Sequence, residues 1–125
     1  MLRNGLSWLT AILQQQAAVS VTYRRGSDET AGITAIVGRT EFEATDDEGG
    51  VLRSQSRDYL IAPADLVIDG SQTLPNVGDK ILETVGSETH LYEVLTLGVE
   101  GHWRWSDPFR TLMRIHTRQV EVQSG

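Results

Sequence analysis

The sequence predicts a mostly β fold, a small β-barrel or sandwich, carrying one amphipathic helix at its N-terminus. Three observations support this. From residue 19 onward short apolar runs alternate with polar residues, turn-forming residues punctuate those runs at short intervals, and only the first 18 residues space their apolar side chains helically. Many short strands with frequent turns favour an all-β layer architecture over an α/β sheet. The chain accordingly divides into a helix over residues 1–18 and a β domain over residues 19–125, with an extended hairpin loop at about 41–57.

In the helical segment Leu6, Leu9, Ile12 and Leu13, with Leu2 and Trp8 beside them, recur at three- and four-residue spacing and share one broad face. Asn4 is placed to cap it, and Gln14, Gln15 and Gln16 extend toward its solvated end. The same segment is too polar for a signal-peptide core and too short to span a bilayer.

The period then switches to two. Val19, Val21 and Tyr23 alternate with Ser20, Thr22 and Arg24, and Gly26-Ser27-Asp28-Glu29 turns the chain into a second β-prone run over residues 33–42. Thr45-Asp46-Asp47-Glu48-Gly49-Gly50 is the sharpest shift in composition, acidic and then flexible, and a polar stretch over 53–58 follows it. Together these read as a long exposed hairpin. Pro63 stops the next strand, since it has no N–H to give a ladder. Pro75-Asn76-Val77-Gly78-Asp79 turns into a strand over 80–85, Gly86-Ser87-Glu88 closes a hairpin onto 90–97, and the last strands fall at 103–105 and 112–120.

Composition narrows the chemistry. The chain has 125 residues, 17 acidic and 11 basic, a net charge of −6 and no cysteine. Disulfides, thiolate nucleophiles and cysteine metal sites are excluded. No broad cationic surface is available to wrap DNA or bind an anionic membrane. His90, His102 and His116 lack the partner histidine three to five residues away that zinc pairs use, and no glycine-rich phosphate loop or dinucleotide fingerprint is present. Ser106-Asp107 lacks the glycine-flanked elbow of a nucleophilic serine, and the acidic run at 46–48 lacks the spaced ligands of a calcium loop. No enzymatic reaction, metal or cofactor is predicted. The competing reading from another class is a small β-barrel enzyme or ligand-binding domain using His116 or the Asp65/Asp69 pair, which requires a deep pocket with convergent polar groups.

Surfaces are therefore the expected working parts. Trp103 and Trp105 flank Arg104 and point to one face of a strand, an arrangement that suits an interface anchor and core packing alike. Arg104, Arg110, Arg114 and Arg118 lie close by and suit pairing with an acidic neighbour. These residues, with Trp8 on the helix, form the candidate subunit interface.

The order Asp58-Tyr59-Leu60-Ile61, Asp65-Leu66, Asp69-Gly70, Pro75-Asn76-Val77-Gly78-Asp79-Lys80-Ile81 and Tyr92-Glu93-Val94 resembles tailed-phage head-to-tail joining proteins, also called head completion, stopper or adaptor proteins. The closing Trp103-Arg104-Trp105-Ser106-Asp107-Pro108 and Arg114-Ile115-His116-Thr117 resemble them too, so the likeness covers roughly residues 58–118. The resemblance implies a β-barrel-like virion protein of the phage neck, made in the host cytoplasm. Such a protein forms a homo-oligomeric ring under a portal or adaptor protein, docks a tail protein, and passes DNA through its channel without reading sequence. It also implies a channel loop, for which Asp46, Asp47, Glu48, Gly49 and Gly50 at the hairpin tip are the candidates. A tail terminator, tail-tube or capsid-decorating protein is the neighbouring alternative.

Overall fold

The computed structural model describes residues 18–45, 47–96 and 101–124. Among the described residues nine strands follow one another: β1 (Ala18–Arg25), β2 (Asp28–Thr45), β3 (Val51–Ile61), β4 (Val67–Ile68), β5 (Ser71–Gln72), β6 (Lys80–Val85), β7 (Glu88–Val94), β8 (Trp103–Trp105) and β9 (Met113–Ser124). A single 3-10 turn at Pro63–Asp65 separates β3 from β4, with the proline at its start.

Two of the tight turns share one local solution. Gly26-Ser27 joins β1 to β2, and Gly86-Ser87 joins β6 to β7, each between directly paired strand ends. Both glycines sit at a φ of +62°, the left-handed conformation that a two-residue hairpin needs and that a residue without Cβ adopts freely.

Seven strands form one antiparallel sheet in the order β3-β2-β1-β6-β7-β9-β8, and β4 with β5 forms a small second sheet. The large sheet curls until β3 also meets β9, pairing Arg57 with Thr117 through Ile61 with Met113. That contact runs for a few residues only. Beyond it β3 continues with β2, down to Thr45 opposite Val51, while β9 continues with β7 to Ser124 opposite Glu88. The two halves splay apart.

This corrects the expected small β-barrel or sandwich with an N-terminal helix. The strands are two sheets not closed into a barrel along their length, because the β3–β9 ladder stops where the two hairpins diverge. No α-helix occurs among the described residues. The predicted helix over 1–18 lies outside them except for Ala18, which is the first residue of β1. Its β-branched neighbours Val19 and Val21 favour the extended chain, and their side chains enter the core as a strand requires.

The core lies in the concavity of the curled sheet. Val21, Tyr23, Ile33, Ala35, Tyr59, Ile61, Ile81, Tyr92, Val94, Met113 and Ile115 meet there, and Leu66 and Ile68 cap one end. Each aliphatic side chain buried in this way stabilises the fold by about 1.5–3 kcal/mol. Strand alternation fixes the other face. With Tyr59 and Ile61 of β3 and Met113 and Ile115 of β9 turned inward, Asp58, Arg114 and His116 turn to the opposite side.

Candidate functional site

The most conspicuous projection is the β2–β3 hairpin. Past the last β3–β9 pair it continues as a two-stranded ribbon from Thr40 opposite Ser56 to Thr45 opposite Val51. At roughly 3.4 Å per residue this is an arm of about 20 Å. Its exposed side chains include the polar and charged Glu41, Glu43, Arg53 and Gln55, with exposed Val51 beside the tip, and Arg53 reaches Glu43 at 3.3 Å. Asp47, Glu48, Gly49 and Gly50 form the exposed turn at the tip, with Gly49 at a φ of +82°. Asp46, the remaining candidate channel residue, lies outside the described residues.

Where the arm leaves the body, β3 and β9 separate around an open cleft of about 610 Å³. Val37, Arg39, Ser56, Arg57, Thr117 and Arg118 contribute to its walls. Arg57 is committed within it: it donates to Glu83 at 2.7 Å and to the Tyr59 hydroxyl at 2.9 Å, and its guanidinium lies over the Tyr59 and Tyr92 rings. Burial, then the hydrogen bond to Glu83, pushes the Tyr59 phenol well above its usual range, so it remains a donor.

Behind the base of the arm sits a buried charged cluster. Asp58 accepts hydrogen bonds from Thr40, from Ser56, from Arg114 Nη1 at 2.8 Å, and pairs with His116 Nδ1 at 2.9 Å. Both Asp58 and His116 are fully buried. Burial opposes ionisation of Asp58, but the hydrogen bonds from His116, Ser56, Thr40 and Arg114 together outweigh it and hold the carboxyl below the usual range. Phe42, on the first part of the arm, packs edge-on against the His116 ring with centroids 5.5 Å apart.

A second buried carboxylate holds the opposite end. Asp79 takes both Arg25 Nε at 3.0 Å and Arg25 Nη2 at 2.8 Å, the Tyr23 hydroxyl, and the Asn76 backbone N–H at 2.9 Å. Here too burial is outweighed, chiefly by Arg25 and Tyr23, and the Asp79 pKa is lowered. Arg25 also bridges to Thr73 and the Leu74 carbonyl, tying the 73–79 turn to β1.

The tryptophan and arginine region is partly distributed by the fold. Trp103 and Trp105 share a face as predicted, with rings edge-to-face at 5.2 Å, and both pack half-buried against the core. Arg104 is exposed beside them, and Arg110 lies over the Trp105 ring at 6.0 Å. Arg114 turns away to Asp58, whereas Arg118 stands at the cleft. Trp8 lies outside the described residues.

The residues proposed for a competing enzyme do not converge. Asp65 and Asp69 are exposed, in the 3-10 turn and in the β4–β5 turn. His116 does face a carboxylate, but Ser56 and Asp58 approach the same Nδ1 and the ring is sealed from solvent, so Ser56, His116 and Asp58 do not form a relay from hydroxyl to imidazole to carboxylate. No group of three metal-ligating side chains occurs among the described residues. No described helix is long and apolar enough to cross a membrane.

Asp58, Asp79, Arg25, Arg57 and Glu83 escaped the sequence reading. The available signal was an aspartate at the head of a β-prone run, Asp58-Tyr59-Leu60-Ile61, because aspartate is depleted in strands unless something pairs with it.

Comparison with protein families matches residues 1–124 to the model described as phage head-tail joining protein. No curated protein and no solved structure matches.

Proposed function

Because the chain belongs to the phage head-tail joining proteins, a family of structural connectors rather than enzymes, we propose that it works as a ring in the phage neck and that its β2–β3 arm reaches toward the DNA channel. As a virion part it acts by contact. In this reading the ring continues the channel beneath a portal or adaptor protein, offers its far side to a tail protein, and is assembled from subunits made in the host cytoplasm.

The observation that carries the channel assignment is the arm itself: about 20 Å of ribbon leaving the core, ending in Asp47, Glu48, Gly49 and Gly50. The carboxylates at its tip repel the DNA backbone at short range. Screening limits that repulsion to about 8 Å at physiological salt, so it acts only on DNA passing close to the tip. An acidic lining lets DNA slide where a basic one would hold it.

Two measurements test this. Antibody against the chain is expected to label virions at the neck, and label confined to the capsid surface or tail shaft would reject the neck ring. Asp47→Lys with Glu48→Lys changes the tip by +4 charges per subunit, since two negatives become two positives. Ejection of DNA from such particles is expected to slow several-fold at low salt and recover at high salt. Ejection indifferent to the reversal at every salt concentration places the tip away from DNA.

A further inference from the structure

A second set of buried residues lies on the exterior of the sheet, on the face turned away from the core. On β3 these are Ser56 and Asp58, on β9 His116, and on β2 Ile36, which alternates with the core residues Ile33 and Ala35. Asp58 and His116 have no exposed surface, and Ile36 retains 2 %. Leu60, Phe42 and Arg114 border them, half-buried. Residues on the outside of a single sheet keep so little exposure only beneath another layer. Among the described elements no such layer is present. The close packing of β3 and β9 is with their ladder neighbours, and β4 reaches β2 at Thr30, about 20 Å along the strand from Ile36. The 73–79 loop is bound to β1 and β7, and the 106–112 loop closes on itself through Asp107 and Leu112.

Four stretches of the chain lie outside the described residues, and their places along it single out one. Residue 46 adjoins the tip of the arm, and residue 125 follows the far end of β9. Residues 97–100 are flanked by attachments to β9, where Leu95 N–H donates to the His116 carbonyl and His116 N–H donates to the His102 carbonyl. Ile36 lies two strands from β9, across β3 and about 10 Å off, so this short connection does not cover both. Residues 1–17 are placed differently. They join β1 at Ala18, directly opposite Ile36, and they carry Leu6, Trp8, Leu9, Ile12 and Leu13.

We propose that residues 1–17 fold back over the exterior of β2, β3 and β9 of their own chain, laying apolar side chains on Ile36, Leu60 and Phe42 and sealing Asp58 and His116 from water. Burial of the aliphatic side chains drives the contact, and exclusion of water strengthens the charged hydrogen bonds beneath it. The segment thereby braces the arm. Phe42 lies on the first part of the ribbon and packs on His116, while Asp58 ties Thr40 and Ser56 at its root to β9. Whatever rests on these residues fixes the angle at which the arm leaves the body. This packing does not depend on the ring, and its failure leaves the neck reading standing.

The absence of native cysteine makes the test direct. Leu6→Cys, Leu9→Cys or Leu13→Cys is combined in the full-length chain with Thr34→Cys on β2 or Ser54→Cys on β3, exposed positions that border the same exterior face. After oxidation in dilute solution, at least one of the six combinations is expected to form a disulfide within the monomer. Free thiols in all six overturn the packing. Disulfide-linked dimers in place of the monomer product overturn it as well, since they put the segment on another copy. A second measurement reads the seal over His116. Leu9→Asp with Ile12→Asp is expected to make His116 react with diethyl pyrocarbonate roughly tenfold faster than in the unaltered protein, while the core amides of Tyr23 and Ile81 keep their slow hydrogen exchange. His116 equally unreactive in both proteins, with core exchange unchanged, rejects the proposal.

Discussion

Asp58→Ala is expected to destabilise the fold by about 3–5 kcal/mol, the range for removing one member of a buried ion pair. The loss exceeds that of the side chain's own contacts. Without the carboxylate, Arg114 Nη1 and His116 Nδ1 lose the acceptor they share, while β9 keeps both side chains where they are, opposite Leu60 and at the former Asp58 position. Thr40 and Ser56 lose their acceptor at the same time. Asp58→Asn keeps the shape but not the charge and is expected to fall between the two proteins. Urea denaturation at pH 7 checks both, and a cost below about 1 kcal/mol for the alanine variant would falsify the account of the cluster. The cluster also predicts an acid dependence. Asp58 has a lower pKa folded than unfolded, so its contribution is complete at neutral pH and declines as pH falls through the unfolded carboxylate value near about 4. Between pH 7 and pH 3 the wild-type midpoint is expected to drop more steeply than that of Asp58→Asn. Parallel curves for the two proteins would assign the acid sensitivity to other carboxylates.

The same cluster shows what the sequence could and could not convey. Local alternation was readable because it depends on neighbouring residues alone: the strand expected at 80–85 has the bounds of β6, and the Gly-Ser turns fall where expected. The acidic insert was equally readable as a hairpin, since charge and glycine at 46–50 exclude a buried strand there. Sheet closure was not, because β3 and β9 lie some 60 residues apart and no local rule fixes whether they pair for their whole length or only at Arg57–Ile61. Nor was the division among the arginines. Arg114 and Arg118 differ by one turn of alternation doubled, share a chemistry, and were both assigned to a subunit interface; only the register opposite Asp58 turns Arg114 into an internal partner. Trp103 and Trp105 were correctly placed on one face, but which face depends on β8 pairing with Met113 and Ile115.

Asp79→Ala is the second large effect expected, at about 2–4 kcal/mol, somewhat below Asp58 because its main partner Arg25 remains partly solvated and is re-hydrated on losing its pair. Its consequences differ in kind. Asp79 terminates the Pro75-Asn76-Val77-Gly78 turn, accepts from the Asn76 N–H within it, and holds Tyr23 and Arg25 of β1 across it. The backbone of the same turn is pinned to β7, with Gly78 N–H donating to the Val94 carbonyl and Val94 N–H donating to the Asp79 carbonyl, both at 2.8 Å. These main-chain bonds survive the substitution. The 73–79 loop is therefore expected to loosen while β6 and β7 stay paired, so hydrogen exchange should accelerate for Asn76 and little at Val94. Tyr23 loses its only described acceptor deep in the core, and a further Tyr23→Phe substitution is expected to restore part of the lost stability by removing the stranded hydroxyl. If Tyr23→Phe costs the Asp79→Ala protein as much as it costs the wild type, the hydroxyl and the carboxylate act independently, and the clamp reduces to the Arg25 ion pair.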